Sequence, residues 1–271
     1  MSTIHPLAHI HPDAKIGSNV TVDPFAVIHG EVSIGDGSHI MSHAVIMDGS
    51  VIGKNCRIFP GAVISAIPQD LKFVGEKTTV EIGDGSTIRE CVTVNRGTKD
   101  KYTTVLGKNC LIMAYAHIAH DCILGDNVIL ANAVQLAGHV EVGNYAIVSG
   151  LSGAVQFTRI GAHTYIAGNG VVRKDVPPYI KAAREPMTYA GINAVGLQRA
   201  KFSTEKIQEI TDIYRIIFLE KNTTTAALSK IESSFAPSAE RDNILNFIKT
   251  SQTGIIKRPS KIAASDDDTA Y

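Results

Sequence analysis

Tryptophan is absent from this chain, and phenylalanine and tyrosine together make up only 6% of its 271 residues. A core with so few rings must be assembled from aliphatics of modest size. Cysteine is scarce too. Cys56, Cys91, Cys110 and Cys122 are scattered, with no CxxC pair and no zinc-type spacing. That argues against a disulfide-stapled scaffold and against a thiolate metal centre. No apolar run approaches the ~20 residues that a membrane-spanning helix needs, so no stable membrane insertion is expected. The opening MSTIHPLAHI lacks a basic segment followed by an apolar one, and a cytoplasmic location is expected. Neither sign of charge dominates, with 26 Lys and Arg against 26 Asp and Glu. Nucleic acid is therefore not an expected partner.

What the chain does have is a beat of six. From Ile4 the step passes through Ile10, Ile16, Val22, Ile28, Ile34 and so on to Ile64, resumes at Ile82, Ile88 and Val94, and runs from Leu106 to Val172. Only Asp70, Glu76, Asp100 and Ala154 break it. Neither a helix period of about 3.6 nor a strand period of about 2 produces such a series. Four residues after each aliphatic comes a small or slim side chain, such as Ala26, Ala44, Cys56, Ala62, Cys110, Ala116 or Cys122. Gly, Asn and Asp recur between them, as in IGDGS and LGDNV, and these types tolerate the backbone angles of tight corners.

Each hexad therefore supplies one short strand and one corner, and three hexads make one triangular coil. The sequence allows about nine coils at the usual inter-strand spacing of roughly 4.8 Å. This all-β solenoid resembles the left-handed parallel β-helix family, and the resemblance supplies the handedness. The aliphatic and the small residue point inward. Cys56, Cys110 and Cys122 fall on the small inward position as core filler, with Cys91 one residue before it.

Two breaks keep phase and read as excursions from the scaffold, residues 65–81 and 96–104. Loops thrown from a rigid frame are where binding residues collect. The first carries Gln69, Asp70 and Lys72. The solenoid is expected to span 1–178 and to close at KDVPPY, where two prolines should forbid further pairing. A C-terminal helical domain follows over 179–255, with three helices: one behind Ser203 and Thr204, one around Leu228, Ile231 and Phe235, one behind Ser238. The polar tail 256–271 is expected to be disordered.

Eighteen residues per coil place His120 beside Gly138, Gly138 beside Gln156, Asp121 beside His139 and His117 beside Gln135. His120 follows the inward Ile118 by two residues and so lies on the outward part of a turn. A base, an adjoining carboxylate in Asp121 and a backbone N–H at Gly138 suit acyl transfer: deprotonation of a nucleophile and stabilisation of an oxyanion. No Ser or Cys nucleophile is evident nearby, which favours direct attack by a substrate hydroxyl or amine. Zinc on the three histidines would lack an evident fourth ligand, and no metal is expected. His5, His11, His29, His39, His43 and His163 have no comparable partners and read as turn and surface residues.

The segments QDLKF, AHIAHDC, LAGHV, IGAH, DVPPY and GINAVGLQRAKFS together are similar to the UDP-N-acetylglucosamine O-acyltransferase family of lipid A biosynthesis. The likeness extends over almost the whole chain. It implies a homotrimer that moves an (R)-3-hydroxyacyl group from acyl carrier protein to the 3-hydroxyl of UDP-N-acetylglucosamine, without a cofactor, in a cleft between subunits. It makes His120 the general base, Asp121 its orienting partner and Gly138 the oxyanion donor. His117 and His139 would contact the sugar. Asp70, with Gln69 beside it, would bind the hydroxyacyl or sugar hydroxyls, Lys72 would approach the phosphates, and Gln156 would line the substrate. Asn193 and Arg199 would lie near the nucleotide and the carrier, and Gly168 would leave room for the acyl chain. Arg199, Lys201 and Lys206 would dock the acidic carrier. Asn95 stands where better-known members carry histidine, on the nucleotide side. Val155 replaces the histidine of HQF, and Val195 replaces an acidic residue. A 3-amino analogue of the sugar nucleotide, a CoA donor, a metalloenzyme of the γ-carbonic anhydrase type and a purely structural solenoid are the alternatives.

Overall fold

A computed structural model describes residues 2–258. The hexads form three parallel sheets that are the walls of a triangular prism, a left-handed parallel β-helix. They hold 11, 9 and 8 strands, and in the solenoid each strand pairs with the one three hexads away. The register is the one the repeat dictates: Ile10 beside Ile28, Ile118 beside Leu136, Leu130 beside Val148. Most strands are two residues long, because a six-residue unit has no room for more once the corner is turned. Corners need a left-handed residue, and Asn19, Asn55, Asn109, Asn127 and Asn169 supply it with φ between 54° and 58°.

The core is a column of side chains inside the prism. Ile28, Ile40, Ile58, Ile64, Ile88, Ile118, Leu130 and Leu136 are fully buried, as are Cys56 and Cys122. Each contributes about 1.5–3 kcal/mol of transfer free energy, largely offset by chain entropy. Cys91 is exposed and sits at a corner with φ 56°. In the first coil Ile4 and Leu7 are exposed.

The two excursions leave and rejoin between the 9-stranded and 8-stranded sheets, at a single edge of the prism. The longer runs from strand Val63–Ala66 to Thr79–Ile82, the shorter from Thr93–Asn95 to Thr103–Leu106. His120 lies on the same edge, between His117–Ile118 and Ile123–Leu124.

Pairing does not end at the prolines. Ile180–Ala183 lies parallel to Tyr165–Ile166, and Thr188–Ile192 then runs antiparallel to it. Pro177 and Pro178 occupy a corner where no ladder donor is needed. Gly161 N donates to Val176 O (2.8 Å) before them and Tyr179 N to Ala162 O (2.8 Å) after them. The helices are α1 (Ala194–Arg199), α2 (Thr204–Tyr214, continued by a π turn Arg215–Leu219), α3 (Thr224–Ser234) and α4 (Ala239–Lys249). Ser203 and Ser238 cap α2 and α4 as expected, accepting from Lys206 N and Arg241 N. The six-residue α1, capped by Asn193, is too short to leave a period in the sequence. Tyr214 Oη donates to Pro178 O (2.6 Å), which ties α2 to the last corner of the solenoid. The expected tail begins too early: Ile256 N donates to Asp175 O (3.0 Å), and Lys257 bridges to Thr188. The remainder of the expected disordered segment, from residue 259, lies outside the described residues.

Candidate active site

The site is built at the corner after Ile118. That side chain turns into the prism, Ala119 N donates to Leu136 O (3.1 Å), and the chain then bends through His120 and Asp121. Asp121 takes the left-handed conformation, φ 60°, which aspartate tolerates better than most residues. One coil on, the equivalent corner carries Gly138. A Cβ built there would meet His120 Cε1 at 2.6 Å and Nε2 at 2.8 Å, so only glycine allows the imidazole to lie against that backbone. Among the described residues the Gly138 N–H has no acceptor.

His120 was expected on an outward turn. It does lie outside the prism core, yet its exposure is 4%, because the two excursions fold over it. Its Nδ1 is 2.8 Å from Asp121 Oδ2. Its Nε2 points toward Asp70 Oδ2 of the longer excursion at 3.9 Å, beyond hydrogen-bond distance. Nδ1 bound to a carboxylate and Nε2 open is the arrangement of a general base.

Asp121 is fully buried and held by the shorter excursion. Thr98 Oγ1 donates to Oδ2 (2.6 Å), Thr98 N and Lys101 N donate to Oδ1 (3.0 and 3.2 Å), and Asp121 N itself donates to Thr104 Oγ1 (2.8 Å). Burial pushes the carboxyl up, but the hydrogen bonds from Thr98, His120 and Lys101 outweigh burial and hold it below the ordinary carboxylate value.

His139 stands edge-on to His120 with ring centres 5.0 Å apart, and Phe157 stacks on its other side at 4.4 Å. Its Nδ1 is 3.2 Å from Asp100 Oδ2, without hydrogen-bond geometry. His117 Nδ1 is 2.7 Å from Thr93 Oγ1. Two hollows flank the corner. One, of about 450 Å³, is lined by Asp70, Lys72, Thr98, Asp100, His139 and Phe157. The other, an open and mostly apolar groove of about 500 Å³, runs past His117, Gln135, Gly153, Val155 and Gln156.

Burial lowers the proton affinity of His117, His139 and His163, with repulsion from His120 adding to the effect at His117. Asp121 and Asp100 partly oppose it at His139. Below about pH 6.5, the ordinary histidine value, the unfolded chain then binds more protons than the folded one, and stability falls with pH. The melting temperature should decrease from about pH 7.5 to pH 5.5, a window above that in which Asp121 protonates. His117→Gln should lessen the decrease. A flat or rising profile would contradict these burials.

The remaining expected residues divide. Gln69 and Lys72 are exposed on the longer excursion, where Asp70 Oδ1 accepts from Lys72 N (2.9 Å). Asn95 is 2% exposed, and its amide donates to Ile67 O (3.2 Å) at the root of that excursion. Gly168 sits at a different corner, with its Cβ position 3.3 Å from Gly150 O. Asn193 is buried, donating from Nδ2 to His163 O (2.8 Å) while capping α1, and Arg199 is exposed at the end of that helix. Within one chain these three are not brought to His120. Lys206 is engaged by Glu209 and Glu240 (2.9 Å each), so it is not a free docking charge. His11, His29, His39, His43 and His163 do have partners, correcting the expectation: Asp13 (3.6 Å), Asp48 (3.4 Å), Asp23 (2.9 Å), the ring of Phe25, and the rings of Tyr145 and Tyr179. Phe157 and Thr98 were missed. The coil step from His139 leads to Phe157, but nothing in the sequence of the shorter excursion shows where Thr98 folds.

Ligand atoms of His120, Asp121 and His139 lie within 4.8 Å of one another. A metal there would compete with the donors that already occupy the Asp121 lone pairs.

A family profile described as Udp N-acetylglucosamine O-acyltransferase, Domain 2, matches residues 175–256. A bacterial transferase hexapeptide profile matches 103–138, and one for the GMPPB C-terminal domain matches 1–98. An acyl-[acyl-carrier-protein]–UDP-N-acetylglucosamine O-acyltransferase from Thiobacillus denitrificans is 46% identical over 95% of this chain and all of its own length. The protein of the same name from a Janthinobacterium species is 48% identical over the same shares. Among solved structures, a UDP-N-acetylglucosamine acyltransferase from Bacteroides fragilis superposes with a TM-score of 0.92 at 48% identity, covering 93% of this chain and 99% of that one. The enzyme from Francisella novicida gives 0.92 at 38% identity over 98% and 100%.

Proposed function

The chain belongs to the UDP-N-acetylglucosamine O-acyltransferase family, the enzymes that transfer an acyl group from acyl carrier protein to UDP-N-acetylglucosamine in lipid A biosynthesis, and on that premise we propose how its own residues carry the reaction. The acyl group is an (R)-3-hydroxyacyl chain and the acceptor is the sugar 3-hydroxyl. His120 Nε2 takes the hydroxyl proton as the oxygen attacks the thioester carbonyl. Asp121 steadies the resulting imidazolium. The Gly138 N–H meets the oxyanion. As the intermediate collapses, the C–O bond stays, the C–S bond breaks, and the imidazolium returns its proton to the departing thiolate. No acyl-enzyme forms. The observation that carries this reading is the pairing of His120 Nδ1 with Asp121 at 2.8 Å while Nε2 lies against a bare glycine backbone.

Asp70, 3.9 Å from the reacting nitrogen, accepts from a substrate hydroxyl, with Lys72 in the same hollow and Gln69 next to it in the chain. His139 and His117 border the two hollows, and Gln156 lines the second. Gly168, Asn193 and Arg199 serve the site from a neighbouring subunit of a homotrimer, which accounts for their distance from His120 within one chain. The exposed Phe25, Tyr115 and Leu151 along another edge suit burial in such an assembly. No described helix is long and apolar enough to cross a membrane, and a carrier-protein donor fits a cytoplasmic enzyme. Supplied with UDP-N-acetylglucosamine and a mixture of 3-hydroxyacyl carrier proteins, the protein should yield an O-acylated sugar nucleotide by mass spectrometry. Product from acetyl-CoA, or from a 3-amino sugar nucleotide only, would overturn the assignment.

A further inference from the structure

We propose that Thr98 is a positioning residue for the general base, acting through Asp121, and that the excursion 96–104 exists in part to carry it there. The inference rests on the assignment of His120 as base. Thr98 is 7% exposed and grips Asp121 twice, through its hydroxyl on Oδ2 and its amide on Oδ1. The hydroxyl bond, 2.6 Å, is shorter than the 2.8 Å between Asp121 and His120, and both fall on the same oxygen. Thr98 Oγ1 also accepts from Asp100 N (3.3 Å), which orients its proton toward Asp121. The excursion itself is anchored: Lys99 N donates to Glu76 Oε1 (3.0 Å) and Lys101 Nζ pairs with Glu141 (3.1 Å). These contacts hold Thr98 beside Asp121 independently of its own bonds to the carboxylate.

Two donors on one carboxylate oxygen share its charge. With the Thr98 hydroxyl in place, Asp121 orients the imidazole without holding the imidazolium so tightly that the base fails to discharge. Remove that hydroxyl and Oδ2 turns its full charge on His120. The other groups facing the ring are Asp70 from the longer excursion, His139 from the next coil and His117 from its own strand, and none of these touches Thr98 by a hydrogen bond. Asp100 and Lys101 face His139 and Asp121 from the shorter excursion.

The test is kcat/KM against pH for wild type, Thr98→Val and Thr98→Ser, with UDP-N-acetylglucosamine and a 3-hydroxyacyl carrier protein. Thr98→Val keeps the shape and the amide donor. Its acidic limb should move to higher pH by on the order of half to one unit, with KM for the sugar nucleotide within about twofold. Thr98→Ser should overlay wild type. Thr98→Ala makes the same deletion with less bulk should the valine variant fold poorly. A wild-type midpoint in both deletions, whatever the plateau, makes Thr98 merely structural and ends the proposal. His120→Ala in parallel separates the failures. If it keeps an acidic limb, the base assignment is at fault. If it loses the limb and Thr98→Val is unshifted, only the role of Thr98 is.

Discussion

Replacing His120 with alanine should lower kcat by roughly 100- to 10,000-fold, the span that a positioned general base contributes. The melting temperature should change little, because the ring packs under the excursions and outside the aliphatic column. KM for the sugar nucleotide should hold within a few-fold, since Asp70, His117 and His139 remain. The loss is large because nothing nearby can substitute. His139 stands 5.0 Å away with its own proton affinity lowered by burial, and Asp70 is an acceptor facing the same nitrogen rather than a relay from it. A variant within threefold of wild type in a steady-state thioester-release assay would remove His120 from the chemistry.

Gly138→Ala should cost about 100-fold or more in kcat despite adding one methyl group. The methyl would stand 2.6 Å from His120 Cε1, closer than real contacts allow, so either the ring swings away or the corner shifts. A ring that swings loses its 2.8 Å bond to Asp121, and a corner that shifts moves the N–H meant for the oxyanion. Displacements near 1 Å at a reacting centre carry penalties of about this size, and loss of one oxyanion donor alone costs about 100- to 1,000-fold. Gly150→Ala is the contrasting control: its Cβ position is 3.2 Å from Asn132 O, a contact that a small relaxation absorbs, at a corner away from His120. It should retain turnover within about tenfold. Equal losses in the two variants, read from single-turnover rates, would show that the penalty at Gly138 is a general property of prism corners.

Much of this arrangement was legible beforehand because the solenoid is a ruler. A coil of constant length converts sequence separation into spatial adjacency, so the stacking of Ile118 on Leu136, and with it of His120 on Gly138, follows from counting. The same counting fails wherever the chain leaves the prism. Thr98 lies in an excursion, and its double grip on Asp121 depends on how that loop folds back, which no period encodes. The surroundings of Asn95 were hidden for a related reason: its hydrogen bond to Ile67 closes the root of the other excursion. The prolines misled because their effect depends on whether they fall in a strand or a corner, and the repeat had already lost its phase there. Gly168, Asn193 and Arg199 come from the family resemblance, and the geometry of one chain leaves them apart from His120.

The measurement that bears most directly on the base is kcat/KM as a function of pH for wild type and His120→Ala side by side. If His120 accepts the substrate proton, the wild-type profile falls tenfold per pH unit on its acidic side, and that dependence disappears in the variant, leaving a low, flat residual rate. An acidic limb of the same slope and position in His120→Ala would mean that some other group takes the proton.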